Sequence, residues 1–359
     1  MACGWRLGEK LVEMTDVKFI DTSGWQILQG LNTGGTRAKR LLQDDNGDRW
    51  YFKCSERKPG APGHPEKYYK YEFWSEVIAY QVGKLFGLDI LRYDVAYNDG
   101  DVGCISPEMD AGVDEQLVEV GRYMTTHNPA FAPDDTTSRK EYTFQLLEET
   151  VQYFELEEYW PSFFTTLVFD AIIGNTDRHQ ENWAFIGSTY TDAPMKLRPS
   201  QEQALRNLLS TNDEKTFIRR LEEYQLRVKH LKRMAPIYDS GSSLARELTE
   251  ERIKQLLNDH QHLTGYINRG SSELHWDRRK ESHFKLLEKI LETRHADALK
   301  NAAFFLQNWD GEQIEHLVYH IDESVPAEHM AFKMPLERKN LIVKLLTLRH
   351  RRVVDIIYG

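Results

Sequence analysis

Asp177 and Asn182 stand five positions apart in the stretch AIIGNTDRHQENWAF, residues 171–185. An apolar run stops at Gly174, and the chain turns apolar again at Trp183, so hydrogen-bonding and ionisable groups crowd between two segments that read as buried. A carboxylate and a carboxamide at that spacing in a loop can serve phosphoryl transfer. The carboxylate accepts or orients the proton of an attacking hydroxyl, and the amide oxygen holds Mg²⁺. The same two side chains can also simply stabilise turns, so the spacing alone leaves both readings open. A second carboxylate follows in MAPIYDSGSSL (234–244), where an apolar strand runs into Asp239 and then Ser-Gly-Ser-Ser. Such an Asp can take the second face of a metal that bridges phosphates, or it can open a turn.

Other segments must position these groups. WQILQGL (25–31), RAKRLL (37–42) and RWYFKC (49–54) read as short strands divided by turn-rich NTGGT and QDDNGD. Gly34 and Gly35, flanked by Thr33 and Thr36, fall between two of them, where backbone N–H groups could approach phosphates closely. Lys53 lies within the third strand among aromatic neighbours. From about Lys67 the period becomes helical, with Trp74, Ile78, Val82 and Leu85 on one stripe and Gly87 at the end. Glu72 and Glu76 lie one turn apart on another face of that helix, and either could reach Lys53. Two further strands, LRYDVAY (91–97) and VGCISPEM (102–109), lead to a junction near EMDAGVD (108–114). Most of the chain beyond that junction carries helical periodicity, including WPSFFTTLVFDAII and the C-terminal ERKNLIVKLLTLRHRRVVDII.

Glycine loop, strand lysine, helix glutamate, two closing strands, a helical part, Asp-x-x-x-x-Asn and then strand-Asp is the order of parts that a protein-kinase-like fold requires. The expected class is therefore α+β and bilobal, with a small β-rich lobe over 25–112 and a larger helical lobe over 113–359. Residues 1–24 precede the first lobe. The charged segment 188–232 has sparse apolar positions, enough for one buried edge, and reads as a helical hairpin inserted into the helical lobe.

Composition narrows the classes. With 359 residues, 40% hydrophobic and 28% charged, the chain can bury an ordinary core in one large or two joined domains. No apolar run approaches a membrane span, and the start lacks the apolar block of a signal peptide, so no stable membrane association is expected. Cys3, Cys54 and Cys104 are far apart, which suggests neither disulfides nor zinc and fits a reducing cytoplasm. A formal charge of −10 argues against direct nucleic-acid binding.

IIGNTDRHQENWAFI with APIYDSGSSL resembles the catalytic core of the HipA-like serine/threonine kinases, and SEVIAYQVGKLFGLDI resembles that family's helix. The resemblance spans roughly residues 25–295 and includes GYINRGSSELHW (265–276). It implies ATP and Mg²⁺ dependence and transfer of the γ-phosphate to a serine or threonine of a protein. It casts Asp177 as the base, Asn182 and Asp239 as metal ligands, and Lys53 as a phosphate contact. Counting back from Gly87 selects Glu76 over Glu72 as the lysine's partner. The backbone of Glu108 and Met109 would meet adenine, with Gly34, Gly35 and Thr36 over the phosphates, and His179 would support the loop. Thr33 and Thr36 are candidates for autophosphorylation, which would place a phosphate's charge beside ATP. The family also suggests a toxin or defence factor held by an inhibitory partner protein, although only about 24 residues precede the core here. GNTDRHQEN is also similar to the loop of phosphoinositide kinases, so a lipid or small-molecule acceptor is the alternative. A nucleotide-binding pseudokinase and nucleotidyl transfer are further ones.

Overall fold

The computed structural model of the chain describes residues 16–28, 39–55, 57–58, 67–110, 112, 115–132, 139–187, 199–211, 213–227 and 232–359. Its N-terminal part runs β1 (Phe19–Asp21), β2 (Gln26–Ile27), β3 (Lys39–Gln43), β4 (Arg49–Cys54), β5 (Arg57–Lys58), β6 (Lys67–Tyr68), α1 (Glu72–Phe86), β7 (Asp94–Asn98) and β8 (Asp101–Pro107). Among the described residues, a six-stranded sheet has the order β1-β7-β8-β4-β3-β2. Only the β1–β7 pair is parallel; the other neighbours are antiparallel. The sheet thus reaches back to Phe19, further N-terminally than the strand pattern beginning at Trp25 indicates.

Successive side chains in a strand face opposite ways. Phe52 joins Leu42, Ala96 and Ile105 on one face of the sheet. Cys104, Val95 and Val102 turn to the other face and pack with α1 in the main core. Lys53, next to Phe52 and opposite Cys104 in the β4–β8 register, consequently faces the α1 side. Gly103 is required in that register, because a Cβ there would run into the Lys53 carbonyl.

α1 begins at Glu72, later than the helical period suggests, because Lys67–Tyr68 pairs antiparallel with Arg57–Lys58 instead. It is buried along most of its length, and Gly87 ends it at φ +75°, where its N–H reaches the carbonyls of Gly83 and Lys84.

The C-terminal part runs β9 (Gln116–Glu119), α2 (Val120–His127), α3 (Phe144–Tyr153), α4 (Trp160–Ile173), β10 (Ala184–Gly187), α5 (Pro199–Leu208), α6 (Glu214–Arg227) and β11 (Lys232–Met234). Then come α7 (Glu250–Asn258), α8 (His260–Arg269), α9 (His283–Leu291), α10 (Ala296–Ala302), α11 (Gly311–His320) and α12 (Leu336–Tyr358). α4 is apolar nearly all round and is accordingly a central helix, packed by α9, α10 and α12. A small antiparallel sheet, β11-β10-β9, lies beside it. The hairpin expected over 188–232 corresponds to α5 and α6, which leave from β10 and return to its antiparallel neighbour β11; residue 232 already belongs to that strand.

α1 is also anchored to the C-terminal part by side-chain hydrogen bonds. Ser75 Oγ donates to the Ser243 carbonyl at 3.0 Å, and Trp74 Nε1 donates to the Phe332 carbonyl at 2.8 Å.

Candidate active site

The face of β4 that turns toward α1 brings Lys53 to the seam between the two parts. Its ammonium donates to Glu76 Oε1 at 3.1 Å, to Asp239 Oδ1 at 3.0 Å and to the Tyr93 hydroxyl at 3.3 Å. Burial alone would push this ammonium's pKa down, but Asp239 and Glu76 together hold it well above the ordinary lysine value. Glu76 uses its second oxygen, Oε2, to accept the Ser240 N–H at 2.7 Å. Glu72, one turn earlier, instead pairs with Arg246. Asp239 has φ +56°, a left-handed conformation that costs a non-glycine residue about 1–3 kcal/mol unless its surroundings over-determine it. The Ser240 bond to Glu76 and the Lys53 bond to Asp239 itself do so from both sides.

The loop after α4 is built as tightly. Gly174 closes α4 at φ +70°, and the Arg349 guanidinium of α12 lies where a Cβ would be, 2.9 Å away, so a side chain is excluded twice over. Arg178 is 1% exposed and holds the loop's shape. Its Nε and one terminal nitrogen donate to both oxygens of Asp170 at 2.9 and 3.0 Å, a fork that matches a carboxylate. The remaining donors reach the Asn182 carbonyl at 3.2 Å, Ser240 Oγ at 3.3 Å and the Tyr238 carbonyl. A single buried cation thus ties the end of α4, both ends of the Asp-x-x-x-x-Asn loop and the segment around Asp239. Burial would lower the Arg178 pKa, but Asp170 raises it, so the charge is permanent.

Within that frame Asn182 Nδ2 donates to the Asp177 carbonyl at 2.8 Å. The Asp177 carboxylate accepts from Ser242 Oγ at 3.2 Å, and the Ser242 carbonyl accepts the Thr176 N–H at 3.1 Å. His179 Nδ1 accepts the Glu181 N–H at 3.4 Å, so this ring does brace its loop, and it also lines the cleft.

Lys53, Asp177, Asn182 and Asp239 line one cleft between the two parts, and Glu76 stands behind Lys53. Its apolar lining comes from Leu91, Pro107, Met109, Leu117 and Tyr238, of which Met109, Leu117 and Tyr238 pack against one small apolar cluster. Of the two junction residues, only Met109 lines it. Glu108 donates its N–H to the Arg49 carbonyl at 2.9 Å and pairs its carboxylate with Arg49 at 2.7 Å. Gly34, Gly35, Thr33 and Thr36 lie outside the described residues.

The cleft's charges are unbalanced: Asp110, Glu119, Asp177, Glu181 and Asp239 face only Lys39 and Lys53 among the lining residues. Among the described residues, no three His, Cys, Asp or Glu side chains gather as a ready-made metal cage. A magnesium that arrives on a polyphosphate needs none, since one or two protein oxygens suffice beside phosphates and waters. Hard oxygen donors at Asn182 and Asp239 beside a buried lysine fit such a group. An apolar slot leading to a lysine and metal-ligating oxygens can hold a planar base at one end and phosphates at the other.

No family model and no curated protein matches the sequence. Among solved structures, the Helicobacter pylori proinflammatory kinase CtkA superposes with a TM-score of 0.63 over 95% of this chain and 97% of that one, at 16% identity. The fold is a kinase fold. A chain of the Shewanella oneidensis MR-1 toxin–antitoxin complex of HipA, HipB and operator DNA matches at a TM-score of 0.39 and 11% identity. It covers 90% of this chain and 65% of that one, an overlap too low to place a fold by itself. The kinase resemblance carried by the two motifs therefore holds for the architecture: a curled β-rich lobe, a helical lobe and the cleft between them.

Several site residues escaped the sequence reading. Asp170 carried a signal, a lone carboxylate inside the apolar run TTLVFDAII, where a charge must find a partner. Arg178 stood within the motif without an evident task. Tyr93 and Ser242 carried no signal, because both act on residues distant in the chain.

Proposed function

We propose that this chain is an ATP- and Mg²⁺-dependent kinase that transfers the γ-phosphate to a serine or threonine hydroxyl of a protein, itself included. The observation that supports it most is Lys53 held between Glu76 and Asp239 in the cleft that Asp177 and Asn182 also line. Met109 and the apolar slot receive the base, and Lys53 meets the α and β phosphates, with the backbone of Gly34, Gly35 and Thr36 assigned to the phosphates from sequence alone. Asn182, whose amide nitrogen is already given to the Asp177 carbonyl, keeps its oxygen for the metal, and Asp239 supplies a carboxylate. When bound, Mg²⁺ offsets the charge of the phosphates and of the acidic lining. Asp177 orients the acceptor hydroxyl and takes its proton as the new O–P bond forms; the bond from the γ-phosphorus to the bridging oxygen breaks, and ADP leaves. Ser242 holds the carboxylate in place for that step. Cytoplasmic action and an inhibitory partner protein belong to the same reading and rest on the sequence resemblance.

The test is the intact mass of the wild type and of Asp177→Asn after incubation with Mg²⁺ and ATP. Increments of about 80 Da in the wild type alone are the expected result, since each is one phosphate. Fragment masses then decide between Thr33, Thr36 and other sites. Equal masses in both proteins, with no phosphate passed to any added acceptor, would remove the kinase reading and leave a nucleotide-binding module.

A further inference from the structure

α6 of the hairpin buries Leu226 in the main core and Phe217 beneath Arg206 of α5, yet it leaves Ile218 55% exposed. Between α6 and α2 runs an open groove lined by Thr125, Thr126 and Pro129 on one side and by Lys215, Ile218 and Arg219 on the other. Besides the exposed Ile218, two features of this groove need an explanation. Thr126 is 3% exposed, and its hydroxyl has no hydrogen-bond partner among the described residues. The neighbouring Thr125 makes the usual bond back to the Gly121 carbonyl, at 2.9 Å, so the two adjacent threonines differ. Lys215 and Arg219 sit one turn apart and make no salt bridge among the described residues, whereas Glu222 at the groove's end is matched to Arg122 at 3.1 Å. The groove is thus a cationic strip with an aliphatic anchor point on a chain whose net charge is −10.

The groove is also close to the cleft. α2 follows directly on Glu119, which lines the cleft, and Gly121 abuts the Gln180 side chain of the catalytic-type loop. From Glu119 to Thr125 the helix rises about 9 Å, a gap that an extended chain crosses in about three residues.

We propose that this groove is the docking site for a linear segment of the protein acceptor, one carrying acidic side chains beside a Leu, Ile or Val. The inference rests on the kinase reading, which supplies the acceptor. The aliphatic side chain packs on Ile218 and Pro129, the acidic groups pair with Lys215 and Arg219, and the Thr126 hydroxyl donates to a carbonyl or carboxylate of the segment. The segment's attachment a few residues from the hydroxyl to be phosphorylated raises the local concentration of that hydroxyl at Asp177. This gives the α5–α6 hairpin a task that no residue of the cleft requires of it.

The experiment selects a displayed library of random peptides on the full-length protein, with counter-selection on the double variant Lys215→Glu/Arg219→Glu. A selected peptide, labelled with a fluorophore, is then titrated by anisotropy, and the same peptide is joined to a serine-containing acceptor for kinetics. Acidic peptides with an aliphatic residue are expected, with binding weakened about tenfold or more in the double variant and in Ile218→Asp, which is about 1.4 kcal/mol. Joined to the acceptor, the peptide lowers KM with kcat unchanged, and the groove variants lose that gain. Thr126→Val separates binding from folding: it removes an unpartnered buried hydroxyl, so stability does not fall, while peptide affinity does. Neutral or basic peptides, binding indifferent to these variants, or no groove-dependent peptide would each overturn the proposal. Self-association that Ile218→Asp abolishes would also overturn it, by giving the groove to a second copy of the chain. Peptide binding as expected, with no phosphate transfer to any acceptor, would overturn the kinase reading separately and leave a peptide-binding groove.

Discussion

Asp170→Asn tests whether one buried ion pair shapes the candidate site. Asp170 and Arg178 are each 1% exposed, and the guanidinium's two bonds to the carboxylate are 2.9 and 3.0 Å. Removing one member of a buried pair costs about 3–5 kcal/mol, because the remaining charge stays buried without its counterpart. Asparagine keeps the shape and one acceptor oxygen, and Arg178 retains the carbonyls of Asn182 and Tyr238 and the Ser240 hydroxyl. The expected loss is therefore at the low end, about 3 kcal/mol. The second consequence is functional. The same guanidinium joins the Asn182 and Asp239 segments, and a displacement of about 1 Å in a positioned group can cost about a hundredfold in rate. Denaturant titration gives the first quantity, and initial rates of phosphate incorporation at saturating ATP give the second. A control pair comes from the same fold: Lys339 donates to Asp322 at 2.6 Å, both are buried, and neither lines the cleft. Asp322→Asn is expected to lose comparable stability and keep its rate. If Asp170→Asn lost stability and kept its rate as the control does, the pair would hold the fold only, and the positioning argument would fail.

Lys53→Met leaves Glu76 and Asp239 facing each other without the ammonium between them, so turnover should fall at least about a hundredfold, with ATP bound more weakly. Calorimetric titration with ATP and Mg²⁺ measures the second effect. Ser242→Ala should lower kcat about tenfold while the KM for ATP stays unchanged, because the hydroxyl meets the Asp177 carboxylate and no phosphate contact is assigned to it; a raised KM with normal kcat would contradict this. His283 is buried, and burial first, then the charges of Arg349 and Lys280, push its pKa from 6.5 down to about 3. The folded chain keeps this ring neutral while the unfolded chain protonates it near 6.5, so stability is full above that pH. It falls as the pH drops toward 3, by up to about 1.4 kcal/mol per unit. His283→Gln should flatten that part of the stability–pH curve, as followed by denaturation midpoints from pH 7 to pH 4.

The local pattern carried a good deal of this molecule. Apolar runs separated by turn residues correspond to β3, β4, β7 and β8, and helical stripes to α1 and α4, because burial on one face, or on all faces, leaves a period in the sequence itself. The spacing from Asp177 to Asn182 and Lys53 within its strand were legible for the same reason: each is a short-range feature. The strand expected to run into Asp239 instead stops at Met234, and of the residues between only Ile237 makes a bridge, to Ile90. β1 was not legible, since three residues leave no period to read, and its parallel partner β7 lies some 75 residues away. Nor was the fate of the two glutamates visible in helical geometry, where Glu72 and Glu76 are near equivalents; the motif count favoured Glu76, and the fold puts Lys53 on Glu76 and Arg246 on Glu72. The junction shows the reverse case. Glu108 and Met109 look alike as neighbours after a strand, but the sheet edge takes the Glu108 N–H and carboxylate for Arg49 and leaves Met109 to the cleft. Residue types and short spacings made a site conceivable, whereas its assembly belongs to tertiary structure: Lys53 meets Asp239 across 186 positions, and Ser242 meets Asp177 across 65. No local period encodes such pairs, because what fixes them is the packing of α1 between its sheet and the helical lobe and the buried charge of Arg178 seeking its acceptors.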